Sequence, residues 1–226
     1  MKKALLTSLI LLALNAQAES VFRRGNSSEP KSIDPQLASE SSGSAVIYDN
    51  FEGLTSNDAA GKLIPGVAEK WEISDDGKTY TFHLRNNAKW SDDTPVTAGD
   101  FVYAWQRAVN PATGGEYAFI LYPIKNAEAI ASGTEKNIEV LGVKAIDDRT
   151  LQVELNSPTP YFLDLLTHYT SYPVPQKTVE QYGDKWTQPE HIVSNGAYHL
   201  TEWKAQAKIA AEKSPTYWNK DQVAID

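Results

Sequence analysis

The sequence predicts a mixed α/β fold in which helices and strands follow one another without a regular βαβ rhythm. Two pairs of strand-like segments joined by Asp-containing turns predict β-hairpins, and the amphipathic stretch between them predicts a helix. The 226 residues are 41% hydrophobic and 10% aromatic, which is enough apolar material for a substantial core. We therefore expect a folded chain with one large or two small domains.

The first predicted hairpin joins residues 71–73 to residues 79–85 through a turn that contains an Asp-Gly pair. In its second strand Tyr80, Phe82 and Leu84 alternate with polar residues. This period of two is typical of a strand with one buried face. A second hairpin follows by the same reasoning, with strands at residues 141–146 and 150–155 around the turn 147–149.

The helix predicted between the hairpins begins after Thr97, which is suited to an N-cap, with Asp100 at the third helical position. It ends at Asn110-Pro111. Its apolar face consists of Phe101, Ala104, Trp105 and Ala108.

The remaining elements are predicted from shorter patterns. They are a strand at residues 21–26, a helix from the apolar spacing over 46–54, a short helix from Pro158 to Leu166, a helix over 178–182, a strand pair at 197–203 and 208–213, and the start of a strand at 223–225.

The N-terminus has the three parts of a secretory signal peptide. Lys2 and Lys3 precede an apolar run over residues 4–14, and Ala16-Gln17-Ala18 fits a cleavage site. The apolar run is shorter than the roughly 20 residues that span a bilayer. We therefore expect residues 1–18 to be removed on export and the mature chain to begin at Glu19.

Charge and cysteine content narrow the choice of partners. Without Lys2 and Lys3, 19 basic residues remain against 29 acidic ones, a net charge of −10. Nucleic acid and anionic membrane surfaces require a basic face, so neither is an expected partner. With no cysteine the chain has no lipid-acceptor thiol and no disulfide, and we expect an unanchored, Gram-negative periplasmic protein.

No pattern for catalysis or metal binding is evident. The four histidines are far apart, and neither a nucleophile elbow nor a phosphate-binding glycine loop occurs, so we expect no catalytic residues, no metal and no cofactor. The acidic pairs at residues 75–76, 92–93 and 147–148 are interpreted as turn residues. Trp71, Trp90 and Trp105 are interpreted as core residues rather than as a carbohydrate platform.

The chain resembles the family 5 extracellular solute-binding proteins through an ordered series of motifs. These are residues 51–54 (Phe-Glu-Gly-Leu), 66–71, 80–85, 88–92, 94–98, 100–103, 141–148, 194–198 and 215–219. The resemblance covers nearly the whole mature chain. It implies a periplasmic binding protein type II-like α/β receptor with two lobes that close over a peptide and deliver it to the membrane permease of an ABC importer.

The resemblance also implies a domain organisation. We expect residues 19–50 and 173–226 to form a discontinuous, partial ligand-binding lobe, and residues 51–172 to form an inserted mixed α/β subdomain. Members of the family have more than twice this length, so we expect the fold to be incomplete here, with the second lobe missing. The receptor is expected to be a monomer.

In the family the peptide pairs through its main chain with receptor edges, like an added strand. Carried over to this sequence, that edge corresponds to Ala38, Ser39, Glu40 and Ser41. The receptors it resembles have an acidic residue and then glycine where Ser39-Glu40 stands, so we expect backbone pairing to survive while the local charge moves by one position. Two further ligand contacts are expected at Tyr117 and His168.

Three functions stay open from the sequence. The first is capture of short peptides for import, with this chain as a truncated N-terminal part of the receptor. The second is a secreted remnant without transport, or a chaperone-like peptide binder. The third, a secreted glycan-active enzyme, depends only on the aromatic and acidic content.

Overall fold

The computed structural model describes residues 20–226, so the predicted signal peptide lies outside the described residues. Five α-helices and eight strands are present in this part of the chain, together with short 3-10 turns. In chain order they are α1 (Ser41–Asn50), β1 (Thr55–Asn57), β2 (Leu63–Pro65), β3 (Ala68–Ile73), β4 (Thr79–Leu84), α2 (Ala98–Val109), α3 (Ala127–Ala131), β5 (Val143–Asp147), β6 (Thr150–Glu154), α4 (Phe162–Leu165), α5 (Gln176–Tyr182), β7 (Tyr198–Lys204) and β8 (Lys208–Lys213).

A four-stranded antiparallel sheet in the order β3-β4-β6-β5 contains both predicted hairpins. Tyr80 lies opposite Val153 and Phe82 opposite Leu151 in the central pair. All four of these side chains are buried, which confirms the predicted alternation along β4. Helix α2 packs against β5 and β6 and covers this apolar face.

The start of α2 agrees with the predicted cap. The Asp100 carboxylate accepts a hydrogen bond from the Thr97 backbone N–H at 2.7 Å and another from the Trp90 indole at 3.3 Å. These contacts satisfy an N–H that the helix itself leaves free. Trp90 and Trp105 are buried as predicted, whereas Trp71 is only partly buried.

The acidic pairs have the predicted turn role. Asp76 accepts a hydrogen bond from the Lys78 N–H, Asp92 from the Thr94 N–H, and Asp147 from the Arg149 N–H. Each carboxylate thus closes its own turn two residues further along the chain.

Several predicted elements are wrong in position or kind. Residues 21–26 and 223–225 form no strand, since neither stretch has a strand partner among residues 20–226. Helix α1 ends at Asn50, because Phe51 is already extended, with φ −131° and ψ 153°. After the prolines only Phe162–Leu165 is α-helical, and the antiparallel pair β1–β2 and helix α3 were not predicted.

The core runs through both ranges that the resemblance assigns to separate domains. Ile47 and Trp186 from the predicted lobe belong to the same buried cluster as Phe82, Trp105 and Phe162 from the predicted subdomain. No helix in residues 20–226 has the length and apolar character needed to cross a membrane.

Candidate functional site

The predicted ligand edge lies between a tight turn and the first helix. The Leu37 and Ala38 N–H groups both donate to the Asp34 carbonyl oxygen, at 3.0 and 2.9 Å. The chain then passes through Glu40 in extended conformation, with φ −124° and ψ 155°, and enters α1 at Ser41. Ala38 is buried, and exposure increases from Ser39 to Ser41.

A buried polar network holds this turn from below. Arg107 of α2 donates from Nη1 to Asp34 Oδ1 at 2.7 Å and to the Gln36 side-chain oxygen at 2.8 Å. The Trp186 indole donates to Asp34 Oδ2 at 2.7 Å, and Gln36 Nε2 donates to the Tyr172 carbonyl oxygen at 3.1 Å. Residues distant in sequence therefore fix the position of the edge.

Backbone packing restricts the turn further. A Cβ atom on Gly115 would lie 2.4 Å from the Gln36 carbonyl oxygen, a distance shorter than any ordinary contact. Only glycine allows the segment before Tyr117 to approach the turn this closely.

Tyr117 and His168 both reach the edge, so the structure brings all six predicted site residues together. The Tyr117 hydroxyl donates to the Ser39 carbonyl oxygen at 3.3 Å, and the Tyr117 and His168 rings are 5.1 Å apart. Tyr169, which was not predicted, stacks on His168 at 4.2 Å and donates its hydroxyl to the Ala38 carbonyl oxygen at 3.1 Å.

The edge keeps main-chain donors available. Among residues 20–226, the Ser39 and Glu40 N–H groups have no hydrogen-bond acceptor. Successive N–H groups of extended backbone point to opposite sides, so one of these two donors can donate a hydrogen bond to a carbonyl group of an added strand. The Ser39 hydroxyl is already engaged, since it donates to Glu116 at 3.2 Å.

The charge of Glu40 is directed away from these donors. Its carboxylate accepts a hydrogen bond from the Lys31 backbone N–H, and its Oε2 lies 3.8 Å from Lys31 Nζ. The negative charge of Glu40 is thus partly balanced by Lys31, which was not among the predicted site residues.

His168 and Tyr169 are uncharged at neutral pH. Burial lowers the pKa of His168, and its Nδ1 accepts a hydrogen bond from the Thr170 N–H at 3.3 Å, which leaves a proton on Nε2. Burial raises the pKa of Tyr169 to about 12. These two aromatic residues therefore offer hydrogen-bonding groups and ring surfaces rather than charges.

Several residues of this site were not found from the sequence. Tyr48 lies with its ring 5.8 Å from that of Tyr169, and Phe119 packs 5.7 Å from Tyr117. About half of each side chain is exposed. Their unusual exposure is visible only after folding, because large apolar residues are ordinarily read as core. In the described range no cluster of three or more acidic, His or Cys side chains could hold a metal.

Comparison with known proteins identifies relatives of the chain. The family described as bacterial extracellular solute-binding proteins, family 5 Middle, matches residues 62–226. The periplasmic oligopeptide-binding protein OppA of Escherichia coli is 50% identical over 205 residues, which are 90% of this chain and 37% of that protein. A probable deoxycholate-binding periplasmic protein, YgiS of the same species, is 46% identical over 88% of this chain and 37% of its own length.

Solved structures have the same fold. The crystal structure of Haemophilus influenzae OppA in complex with the peptide RPPGFSPFR matches with a TM-score of 0.86 and 46% identity, over 89% of this chain and 39% of that one. The chain thus spans well under half the length of these relatives, and its fold is a partial periplasmic binding protein fold of the type the sequence predicts. The chain belongs to the family 5 bacterial extracellular solute-binding proteins.

Proposed function

We propose that the chain is the N-terminal part of a periplasmic receptor that captures short peptides and delivers them to an ABC-type importer. The observation that carries the proposal is the free N–H groups of Ser39 and Glu40, one of which can donate to an added strand, beside the turn that the Asp34 network holds in place. Main-chain pairing gives affinity with little selection among side chains. The role is binding without catalysis.

In this proposal Tyr117 and His168 contact the peptide beside the edge. Their rings are close to each other and to Ser39, and the neutral imidazole places an Nε2 donor in the same group. Ala38 contributes through its main chain, since its side chain is buried. Ser41 extends the edge to the start of α1.

The signal peptide, the domain organisation and the transport partner are proposed from the family resemblance. Residues 1–18 act as a signal peptide for export to the periplasm, residues 19–50 and 173–226 contribute to the ligand-binding lobe, and residues 51–172 form the inserted subdomain. The transport partner is the membrane permease of the importer, and the receptor is a monomer.

The test is calorimetric titration of residues 19–226 with trialanine, after thermal unfolding has shown a cooperative transition. A depsipeptide analogue, in which an ester replaces the first of the two amides, weakens one carbonyl acceptor and removes one N–H. We expect the analogue to bind about ten-fold less tightly, the equivalent of one lost hydrogen bond. Equal binding of the two ligands, or no binding by a cooperatively folded chain, would refute main-chain capture at this edge.

A matched pair of variants locates the binding. Tyr117→Phe removes the hydroxyl that contacts Ser39 and is expected to weaken trialanine binding, while Tyr161→Phe alters an exposed tyrosine with no site contact and should leave it unchanged. Deoxycholate serves as competitor, because one relative is named for that ligand class. If deoxycholate binds and trialanine does not, the ligand is a bile acid and the peptide proposal fails.

The alternative of a chaperone-like peptide binder has one observation in its favour. Val21 and Phe22 are 56% and 69% exposed on a segment without strand pairing. A binder of that kind would suppress aggregation of an unfolded protein, and Phe22→Ser would abolish the effect without altering trialanine binding.

A further inference from the structure

A separate cavity of about 340 Å³ lies next to the candidate ligand edge. Its walls include Tyr48, Tyr172 and Tyr217, with Glu52 among them. Tyr48 links the two places, since its ring lies 5.8 Å from Tyr169 at the edge and 6.0 Å from Tyr172 in the cavity wall. The volume is at the lower end of the range for small-molecule sites.

Glu52 is held rigidly in this cavity. Its backbone N–H donates to the Asn195 side-chain oxygen at 3.1 Å, and its carbonyl oxygen accepts from Asn195 Nδ2 at 3.0 Å. The carboxylate accepts one hydrogen bond from the Tyr217 hydroxyl and one from the Trp218 indole, each at 2.6 Å. Two oxygens have room for about four hydrogen bonds, so the carboxylate has unused acceptor capacity.

No cation pairs with this carboxylate among residues 20–226. The charge of Arg85 acts on the carboxylate without an ion pair, since its guanidinium stacks 3.6 Å above the Trp218 ring and its Nε donates to the Gly66 carbonyl oxygen at 2.7 Å. Burial raises the pKa of Glu52 to about 7, although Tyr217, Trp218 and the charge of Arg85 oppose that rise. A buried carboxylate without an ion pair gains most from a cation brought by a ligand.

The tyrosine walls favour the same class of ligand. Ring faces attract cations, and the Tyr48 and Tyr172 rings meet at 76°, so that they form two sides of a corner. An ammonium fits this lining better than Mg²⁺ or Ca²⁺, because Glu52 is the one charged oxygen ligand among the described lining residues and the other side-chain oxygens there are neutral.

We propose that this cavity binds an alkylammonium group, with the ammonium beside the Glu52 carboxylate and the alkyl chain against Tyr48 and Tyr172. The ammonium group belongs either to a free small amine or to a lysine side chain of a captured peptide. The free-amine form is independent of the proposed peptide function, and the lysine form rests on it.

The test is NMR titration of residues 19–226 with n-butylammonium, and with 1-butanol as the uncharged counterpart, at about pH 8, where Glu52 is mainly ionised. We expect the amine to bind at least about ten-fold more tightly than the alcohol, with shifts at the indole N–H of Trp218. Equal affinity for the two probes, or shifts confined to other parts of the chain, would overturn the proposal.

Two variants and one control test whether the amine binds in this cavity. Glu52→Gln removes the charge, and Tyr48→Ala removes a half-exposed wall residue that makes no hydrogen bond to the Glu52 carboxylate; each is expected to weaken amine binding about ten-fold. Tyr161→Ala removes a tyrosine outside the cavity and should leave binding unchanged. If Glu52→Gln unfolds, Tyr48→Ala alone decides, and unchanged binding by that variant refutes the site.

Competition distinguishes the two sources of the cation. If the peptide Ala-Lys-Ala displaces n-butylammonium and the norleucine peptide Ala-Nle-Ala does not, the ligand is a lysine side chain of a bound peptide. If peptide and amine bind independently, the ligand is a free amine. A failure of trialanine to bind would refute the peptide function and would leave the amine result standing, so the two failures can be told apart.

Discussion

Arg107 and Asp34, 73 residues apart in sequence, form a bidentate ion pair directly beneath the candidate ligand edge. The Asp34 side chain is 5% exposed and that of Arg107 15%. The pair also recruits Gln36 and Trp186, so its four members satisfy one another in a region that water hardly reaches. It joins the turn of the edge to helix α2.

Removing one member of this pair is expected to be strongly destabilising. Arg107→Met leaves the Asp34 carboxylate buried without its cation, which costs about 3–5 kcal/mol of unfolding free energy. Urea unfolding measures the change. The control is Lys89→Met, which breaks an ion pair with side chains 47% and 75% exposed and should cost less than about 1 kcal/mol. Similar losses in the two variants would contradict this account.

Gly115→Ala is expected to disturb the edge as well as the fold. The added methyl group would meet the Gln36 carbonyl oxygen at 2.4 Å, and we expect a loss of about 1–3 kcal/mol together with weaker trialanine binding. Gly99→Ala in α2 is the matched control, since its nearest contact is an ordinary 3.5 Å and alanine is the better helix former. A Gly115→Ala chain as stable as the parent would show that the turn can move to accommodate the methyl group without a loss of stability.

The stability of the chain should depend on pH through Glu52. Its folded pKa of about 7 lies above the ordinary value of 4.5, so between these values the folded state retains a proton that the unfolded state has lost. The free energy of unfolding contributed by Glu52 therefore falls as pH rises through that window and is constant on either side of it. Urea unfolding over a pH series checks this, and Glu52→Gln should remove the part of the slope that Glu52 contributes.

The comparison must be between variant and parent, because His168 acts in the opposite direction. Burial lowers the folded pKa of His168 below 6.5, so its contribution to stability is lost as pH falls below that value. A Glu52→Gln variant with the same pH slope as the parent would mean that Glu52 ionises normally in the folded chain.

His168 should titrate at a lower pH in the folded chain than in the unfolded one. Burial lowers the pKa of His168, and the backbone hydrogen bond that its Nδ1 accepts also favours the neutral ring. NMR titration of the ring protons, in buffer and in urea, measures the two pKa values. A folded pKa equal to or above the unfolded one would indicate that solvent reaches the ring freely.

Structural features that depend on residues close together in the sequence were predicted correctly from local patterns. The alternation along β4 and the acceptance of the Thr97 N–H by Asp100 both follow from neighbouring residues, and both are present. The prediction of a strand at residues 21–26 is wrong, because a strand requires a partner and this segment has none among residues 20–226. Helix α1 ends earlier than its apolar spacing suggests, since the Glu52 backbone is held by Asn195 instead.

In the candidate site, too, the residues whose roles depend on partners distant in sequence were not predicted. The family resemblance supplied Ser39, Glu40, Tyr117 and His168, and the structure places them in one group. Tyr169 and Trp186 could not be identified in this way, because their roles arise from hydrogen bonds to residues more than a hundred positions away. A tyrosine or tryptophan in a single sequence carries no sign of such a partner.

The two hydrogen bonds between the Asn195 side chain and the Glu52 backbone affect the order in which the chain can fold. The two residues are 143 positions apart, and Trp186 and Asp34 are 152 apart. Contacts of this separation form slowly, since a long loop must be closed before they stabilise anything. While synthesis proceeds from the N-terminus, Asp34 and Glu52 lack these two partners until residues 186 and 195 have been made. The segment that directly follows the predicted export signal thus completes its set of contacts only after residue 195 has been synthesised.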